Sequence, residues 1–220
     1  SSFLNKSISV NSRTASKDVF AGDPYPYESP DTTHFSVMDQ YGNAVSNTYT
    51  LNFSYGSGIM IPGTGMLMNN EMDDFSSKPG VPNGYGLLGS EANSIEANKR
   101  PLSSMTPTII FKDDKPYLVL GSPGGSRIIT TVLQVALNVM EHGMNVAQAV
   151  NSPRIHHQWL PETLMIEKGF GPDTEKLLQE KGYRLYPSST MGSVQAILKD
   201  GEYFYGAADP RRPGSGAVAP

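Results

Sequence analysis

The chain has 220 residues, enough for one domain with an adequate core, and sets 17 basic against 21 acidic side chains for a formal net charge of −4. That balance leaves no basic footprint for nucleic acid and no electrostatic reason to bind an anionic membrane. With no cysteine, disulfides, thiol catalysis and cysteine metal sites are excluded, and 22 glycines with 17 prolines mark a turn-rich globular chain.

Residues 1–31 mix Ser, Asn, Lys, Pro and Tyr without clear periodicity. Asp23-Pro24-Tyr25-Pro26-Tyr27 is extended, because a residue before proline avoids the α region. The stretch reads as a surface strap or linker. The opening Ser1-Ser2-Phe3-Leu4-Asn5-Lys6 reads as the middle of something longer, with no signal-peptide pattern. The β signal begins at Thr32: Thr33, Phe35 and Val37 share one face, His34 and Ser36 the other. Asp39 to Asn43 is a turn, and Ala44 to Leu51 returns as the second strand of a hairpin. Thr48, Thr50 and Asn52 then lie on one face, and the register brings Thr50 close to Thr32.

Residues 52–65 are a glycine-rich loop, Met66 to Asn69 a short predicted strand, and 76–101 a long irregular segment of the kind that forms lids. Gly84-Tyr85-Gly86-Leu87-Leu88-Gly89 matches the dinucleotide fingerprint in letters only, since no strand precedes it and no helix follows. Thr108 to Lys112 and Pro116 to Leu120 form a second hairpin, which runs into Gly121-Ser122-Pro123-Gly124-Gly125-Ser126-Arg127. A helix follows, with Ile128, Ile129, Val132, Leu133, Ala136, Val139 and Met140 expected on one apolar stripe. Asn145 caps a shorter helix to about Asn151. Strands over Arg154–Gln158, Leu164–Glu167, Tyr183–Tyr186, Val194–Leu198 and Tyr203–Ala207, with a helix over Asp173–Lys181, complete an α+β or layered α/β class.

Thr32 carries the sharpest chemical expectation. A threonine hydroxyl is a weak nucleophile unless a base takes its proton, and one solution is the threonine's own α-amine, freed by cutting the peptide bond before it. Such an amine has a pKa of about 7.7–8.0 and is partly unprotonated at neutral pH. The plainer reading is a β-branched residue opening a strand. His34 lies two residues on and on the same face, so it is a second candidate base or a packed strand histidine. The paired glycines after the second hairpin read as an oxyanion hole or as an ordinary tight turn. Glu71, Asp73 and Asp74 read as a solvated acidic turn or a cation-binding cluster, and Ser103-Ser104 as turn residues or a carboxylate clamp. No GxSxG or Ser-x-x-Lys pattern occurs, so two serine-nucleophile patterns drop out; no HExxH or comparable ligand spacing occurs either, and no metal or cofactor is expected.

Thr32 to Val37, Gly42 to Val45, Thr48 to Asn52, Asn69 to Phe75, Asn98 to Met105, Gly121 to Thr131, Pro153-Arg154 and His157 to Pro161 together resemble the γ-glutamyltransferases (glutathione hydrolases) of the N-terminal nucleophile (Ntn) hydrolase superfamily. The resemblance runs from Thr32 to about Arg211. It implies a four-layer αββα sandwich of which this chain supplies only part: residues 1–31 as the end of a large subunit, and 32–220 as the small-subunit catalytic region. It implies a precursor that cuts itself between Asp31 and Thr32, and a catalytic Thr32 that takes the γ-glutamyl group from glutathione or a similar donor. The group then passes to water or to an amino acid or peptide acceptor. By the same resemblance Thr50 orients the nucleophile, and Asn52, Glu71 and Asp74 hold the donor's α-amino end. Ser103 and Ser104 bind its α-carboxylate, Gly124 and Gly125 form the oxyanion hole, and Tyr85 gates a lid over residues 79–90. The family's arginine for the α-carboxylate belongs to the large subunit, the expected partner. A periplasmic, secreted or surface-facing location is the family expectation. The alternatives are a related Ntn amidohydrolase acting on β-lactams or poly-γ-glutamate, or an inactive truncated binding module.

Overall fold

Asp39 shapes the first turn. Its Oδ1 accepts from the amides of Tyr41 and Asn43, and its Oδ2 from Asn43 Nδ2 at 2.7 Å. The computed structural model, which describes residues 9, 11–13, 15, 32–84, 87–159 and 161–219, builds on this turn the antiparallel pair β1 (Thr33–Met38) and β2 (Ala44–Tyr49). Thr33 pairs with Tyr49, so the register sets Thr32 opposite Thr50. The proposed cut-site residue Asp31 and the gating residue Tyr85 lie outside the described residues, as does most of the leader.

The second hairpin, β3 (Thr108–Lys112) and β4 (Lys115–Gly121), turns at Asp113-Asp114, both at positive φ, as a two-residue hairpin turn requires. With β8 (Gln195–Asp200) and β9 (Tyr203–Ala208) it makes an antiparallel sheet in the order β3-β4-β8-β9. The β1–β2 hairpin packs on β4 and β8. Helices α1 (Ile128–Met140) and α2 (Val146–Asn151) pack on β4, β8 and β9. Leu118, Leu120, Ala196 and Ala207 meet Ile128, Val132, Val135, Val139, Val146 and Val150 in one buried cluster. Each fully buried aliphatic side chain there contributes about 1.5–3 kcal/mol. The result is two β layers and one α layer, an α+β arrangement.

A third sheet holds β5 (Ile155–His156), β6 (Leu164–Glu167) and β7 (Leu185–Ser188), with α3 (Pro172–Glu180) between β6 and β7. Beside it lies a buried ion cluster. Arg154 Nη2 meets Asp209 Oδ2 at 2.6 Å, and Arg211 Nη2 meets Glu167 Oε2 at 2.6 Å.

Three sequence expectations change. Met66 to Asn69 is not a strand; only Leu67 bridges, to Met60, because a glycine-rich loop offers no longer partner edge. The apolar residues of α1 do not form one stripe. Ile128, Val132 and Val139 face the core, while Ile129, Leu133, Leu137 and Met140 are 40–54% exposed on another side. Arg154 to Gln158 contributes only two strand residues, since Gln158 turns away to other partners. Asn145, by contrast, caps α2 with a full capping box to Gln148, as read from the sequence.

The first hairpin is turned inside out relative to ordinary amphipathic strands. Its polar His34, Ser36, Ser46 and Thr48 face the sheet, and Phe35, Val37, Val45 and Tyr49 are 44–58% exposed. The inward face is held by hydrogen bonds: Ser36 Oγ donates to the Gln195 carbonyl and Ser46 Oγ to the Leu120 carbonyl, both at 2.9 Å. Because the Ser36 proton goes to Gln195, His34 Nε2 must donate to Ser36 Oγ, at 3.0 Å, and Nδ1 accepts from Thr48 at 2.7 Å. A neutral imidazole satisfies every bond, and burial lowers its pKa to about 4.

Candidate active site

Thr32 sits just before β1, 3% exposed, and its hydroxyl donates to Thr50 Oγ1 at 3.1 Å. Thr50 Oγ1 also accepts from the Asn52 amide at 2.9 Å. Asn52 takes a left-handed φ of 73°, a conformation asparagine tolerates better than most residues, and its Nδ2 donates to the Asn70 carbonyl. The return of β2 therefore ends in a hook that ties the two threonines to the segment leading into the acidic turn. His34 spends both ring nitrogens on Thr48 and Ser36, which favours its packing role.

The acidic turn is a short 3-10 helix, Glu71–Asp74. Burial, then the hydrogen bond and charge of Glu71, then the charge of Asp73 raise the Asp74 pKa to about 7. Glu71 Oε1 is buried with no hydrogen-bond partner among the described residues. Such a pair is short of positive charge, and an ammonium group answers that need. Asp73 points elsewhere: its Oδ2 accepts from the Gly84 amide at 2.9 Å and fastens the segment 79–90. The described residues on either side of 85–86 are joined by Gly80 N to Gly89 O and Asn83 N to Leu87 O, and no strand immediately precedes Gly84, in line with a match in letters only.

One cleft is lined by Thr32, Thr50, Asn52, Asp74, Ser103, Ser104, Leu87, Gly125 and Ser126, with Met105 and Ile128. It gathers residues from six separate stretches of the chain. Ser103 and Ser104 arrive on the extended run before β3, and their neutral hydroxyls suit a carboxylate. Gly124 and Gly125 turn the chain from β4 toward α1 at φ 138° and 56°. The Gly124 angle is one that residues with a Cβ avoid. Among the described residues no group of His, Asp and Glu has metal-holding geometry.

Arg212 was not singled out from the sequence, yet its Nη1 donates to the Thr32 carbonyl at 2.7 Å across 180 residues. Nothing local could have revealed it. Its neighbour Arg211 is locked in the ion cluster with Glu167 and Asp209, so the backbone that delivers Arg212 is fixed.

A buried threonine just before a strand, bonded to a second threonine hydroxyl in a cleft, is the arrangement expected of an Ntn hydrolase. Residues 2–219 match the family described as gamma-glutamyltranspeptidase. The chain is 58% identical over 206 residues to the glutathione hydrolase proenzyme of Escherichia coli K12, covering 93% of this chain and 35% of that protein. A Helicobacter pylori gamma-glutamyltranspeptidase mutant aligns at TM-score 0.79 and 58% identity, over 82% of this chain and 100% of that one. An acivicin-inhibited gamma-glutamyltranspeptidase aligns at TM-score 0.79 and 57% identity, over 82% of this chain and 99% of that one. Its structure is described as revealing critical roles for the C-terminus in autoprocessing and catalysis. The chain belongs to the gamma-glutamyltranspeptidase family. It spans about a third of the length of the curated relatives it matches.

Proposed function

We propose that this chain carries the catalytic part of a γ-glutamyltransferase and glutathione hydrolase, with Thr32 as the nucleophile. The observation that carries the reading is the Thr32–Thr50 hydroxyl contact inside a cleft that also presents Asn52, Asp74, Ser103, Ser104 and Gly125. Processing comes first. Thr32 Oγ1 attacks the Asp31 carbonyl carbon, the Asp31–Thr32 amide bond breaks, and its nitrogen takes up a proton to become the free α-amine. Water then hydrolyses the Asp31 ester and restores the hydroxyl.

The freed α-amine takes the hydroxyl proton as Thr32 attacks the γ-carbonyl of the donor. The developing oxyanion lies against the Gly124 and Gly125 amides, worth about 3 kcal/mol each in such holes. The α-ammonium returns the proton to the leaving amine, and a γ-glutamyl ester remains on Thr32. Water or an acceptor amine attacks that ester, and the hydroxyl is regenerated. Asp74, Glu71 and Asn52 receive the donor's ammonium, and Ser103 with Ser104 its carboxylate. The balancing arginine comes from the large subunit of the same precursor.

The exposed apolar faces of β1–β2 and of α1 support that partner. A hairpin with its apolar side turned outward is complete only when another layer covers it. The test is Thr32→Ala in the full-length protein. The expected result is an uncut chain without turnover of a γ-glutamyl anilide; normal cutting and turnover refute the reading. A substrate panel separates the related acylases, which would accept acyl groups lacking the glutamyl α-amine.

A further inference from the structure

The glycine turn is braced from both ends. On the Ser122 side, the Ser193 amide donates to Ser122 Oγ at 2.8 Å, and Ser122 Oγ donates to the Pro123 carbonyl at 2.6 Å. On the other side, Ser126 follows Gly125 on the wall of the cleft, and its hydroxyl donates to Gln158 Oε1 at 2.6 Å. A carbonyl oxygen only accepts, so the second contact on Oε1, 2.8 Å from His156 Nε2, carries an imidazole proton. His156 Nδ1 is left as an acceptor, 2.7 Å from the Thr130 hydroxyl, whose one proton it shares with the Arg127 carbonyl at 3.1 Å. His156 is 2% exposed and burial holds it neutral, which keeps this direction of donation.

The base of the relay is rigid. Gln134 of α1 donates to the carbonyls of Thr130 and Ile155 and accepts from the Ile155 amide, stitching the helix to β5. Movement of Gly125 relative to α1 and β5 must therefore break the Ser126–Gln158 bond.

We propose that Gln158, oriented by His156, is a positioning residue that fixes the Gly124-Gly125-Ser126 turn through the Ser126 hydroxyl. The proposal rests on the oxyanion reading of that turn. Amides that meet a charge only in the transition state must be aimed before it forms, and small misplacements act on kcat more than on KM.

In the full-length protein, with rates normalised to cleaved chain by mass spectrometry, Ser126→Ala and Gln158→Leu each lower kcat about tenfold and leave KM within about twofold. The double variant is no slower than either single, because both remove one bond. Gln158→Glu keeps an acceptor for both donors and retains kcat within about threefold. Unchanged kcat in both singles, or losses that multiply in the double variant, overturn the proposal. If Gln158→Leu unfolds by thermal melting, Ser126→Ala with Gln158→Glu decides. Thr32→Ala runs alongside. Turnover there refutes the threonine mechanism itself, whereas a silent Thr32→Ala with wild-type Ser126→Ala removes only the brace.

Discussion

Valine at position 50 keeps the branching and nearly the volume of threonine and removes one oxygen. That oxygen accepts from the Thr32 hydroxyl at 3.1 Å and from the Asn52 amide at 2.9 Å. Losing a neutral hydrogen bond costs about 1 kcal/mol, and a buried amide deprived of its acceptor about 1–3 kcal/mol. Asn52 is 4% exposed, so water does not readily replace the lost acceptor. The total is about 2–4 kcal/mol. The Thr32 share, about 1 kcal/mol, appears as a fivefold to tenfold fall in the rates of self-cleavage and turnover, by order of magnitude. The Asn52 share appears as a raised KM for the donor and a lower melting temperature. Mass spectrometry against time follows cleavage, and initial rates on a γ-glutamyl anilide follow turnover. Thr50→Ser, which keeps the oxygen, restores both. Wild-type cleavage and kcat in Thr50→Val refute the idea that this hydroxyl aims the nucleophile.

With the Asp74 pKa raised to about 7 by burial and its acidic neighbours, donor binding through an ammonium strengthens as pH rises through that value. A KM for donor that does not fall between about pH 6 and 8 contradicts this, and Asp74→Asn should flatten the dependence. His34 binds fewer protons folded than unfolded between pH 6.5 and about 4. Its contribution to stability is therefore complete above pH 6.5 and lost as pH falls toward 4, which urea unfolding at stepped pH measures. Gly124→Ala forces a Cβ into φ 138° and should cost about 1–3 kcal/mol of stability together with most of kcat; an alanine variant with normal rates places the oxyanion elsewhere.

The hairpin, the Thr32–Thr50 approach and the Asn145 cap were legible because each depends on residues close in sequence, with a period or a capping pattern to announce them. The double-sided α1 was misread because 3.6-residue periodicity records which residues are apolar, not how many surfaces cover the helix. The outward Phe35 and Val37 raise the same difficulty, since a strand made for a partner layer carries its hydrophobic face on the far side. Met66 to Asn69 failed for want of a neighbouring edge. Arg212, and the Ser126–Gln158 bond, were invisible for another reason. A single polar contact between distant residues leaves no pattern in either segment.

The contact between Arg212 and the Thr32 carbonyl also bears on when the chain can cut itself. A ribosome makes Thr32 long before it makes Arg212, 180 positions later. Until that guanidinium has emerged and Arg211 has found Glu167, the Thr32 carbonyl lacks the group that holds it. On the proposed chemistry, the backbone of the nucleophile is braced only once residues far downstream have folded against it.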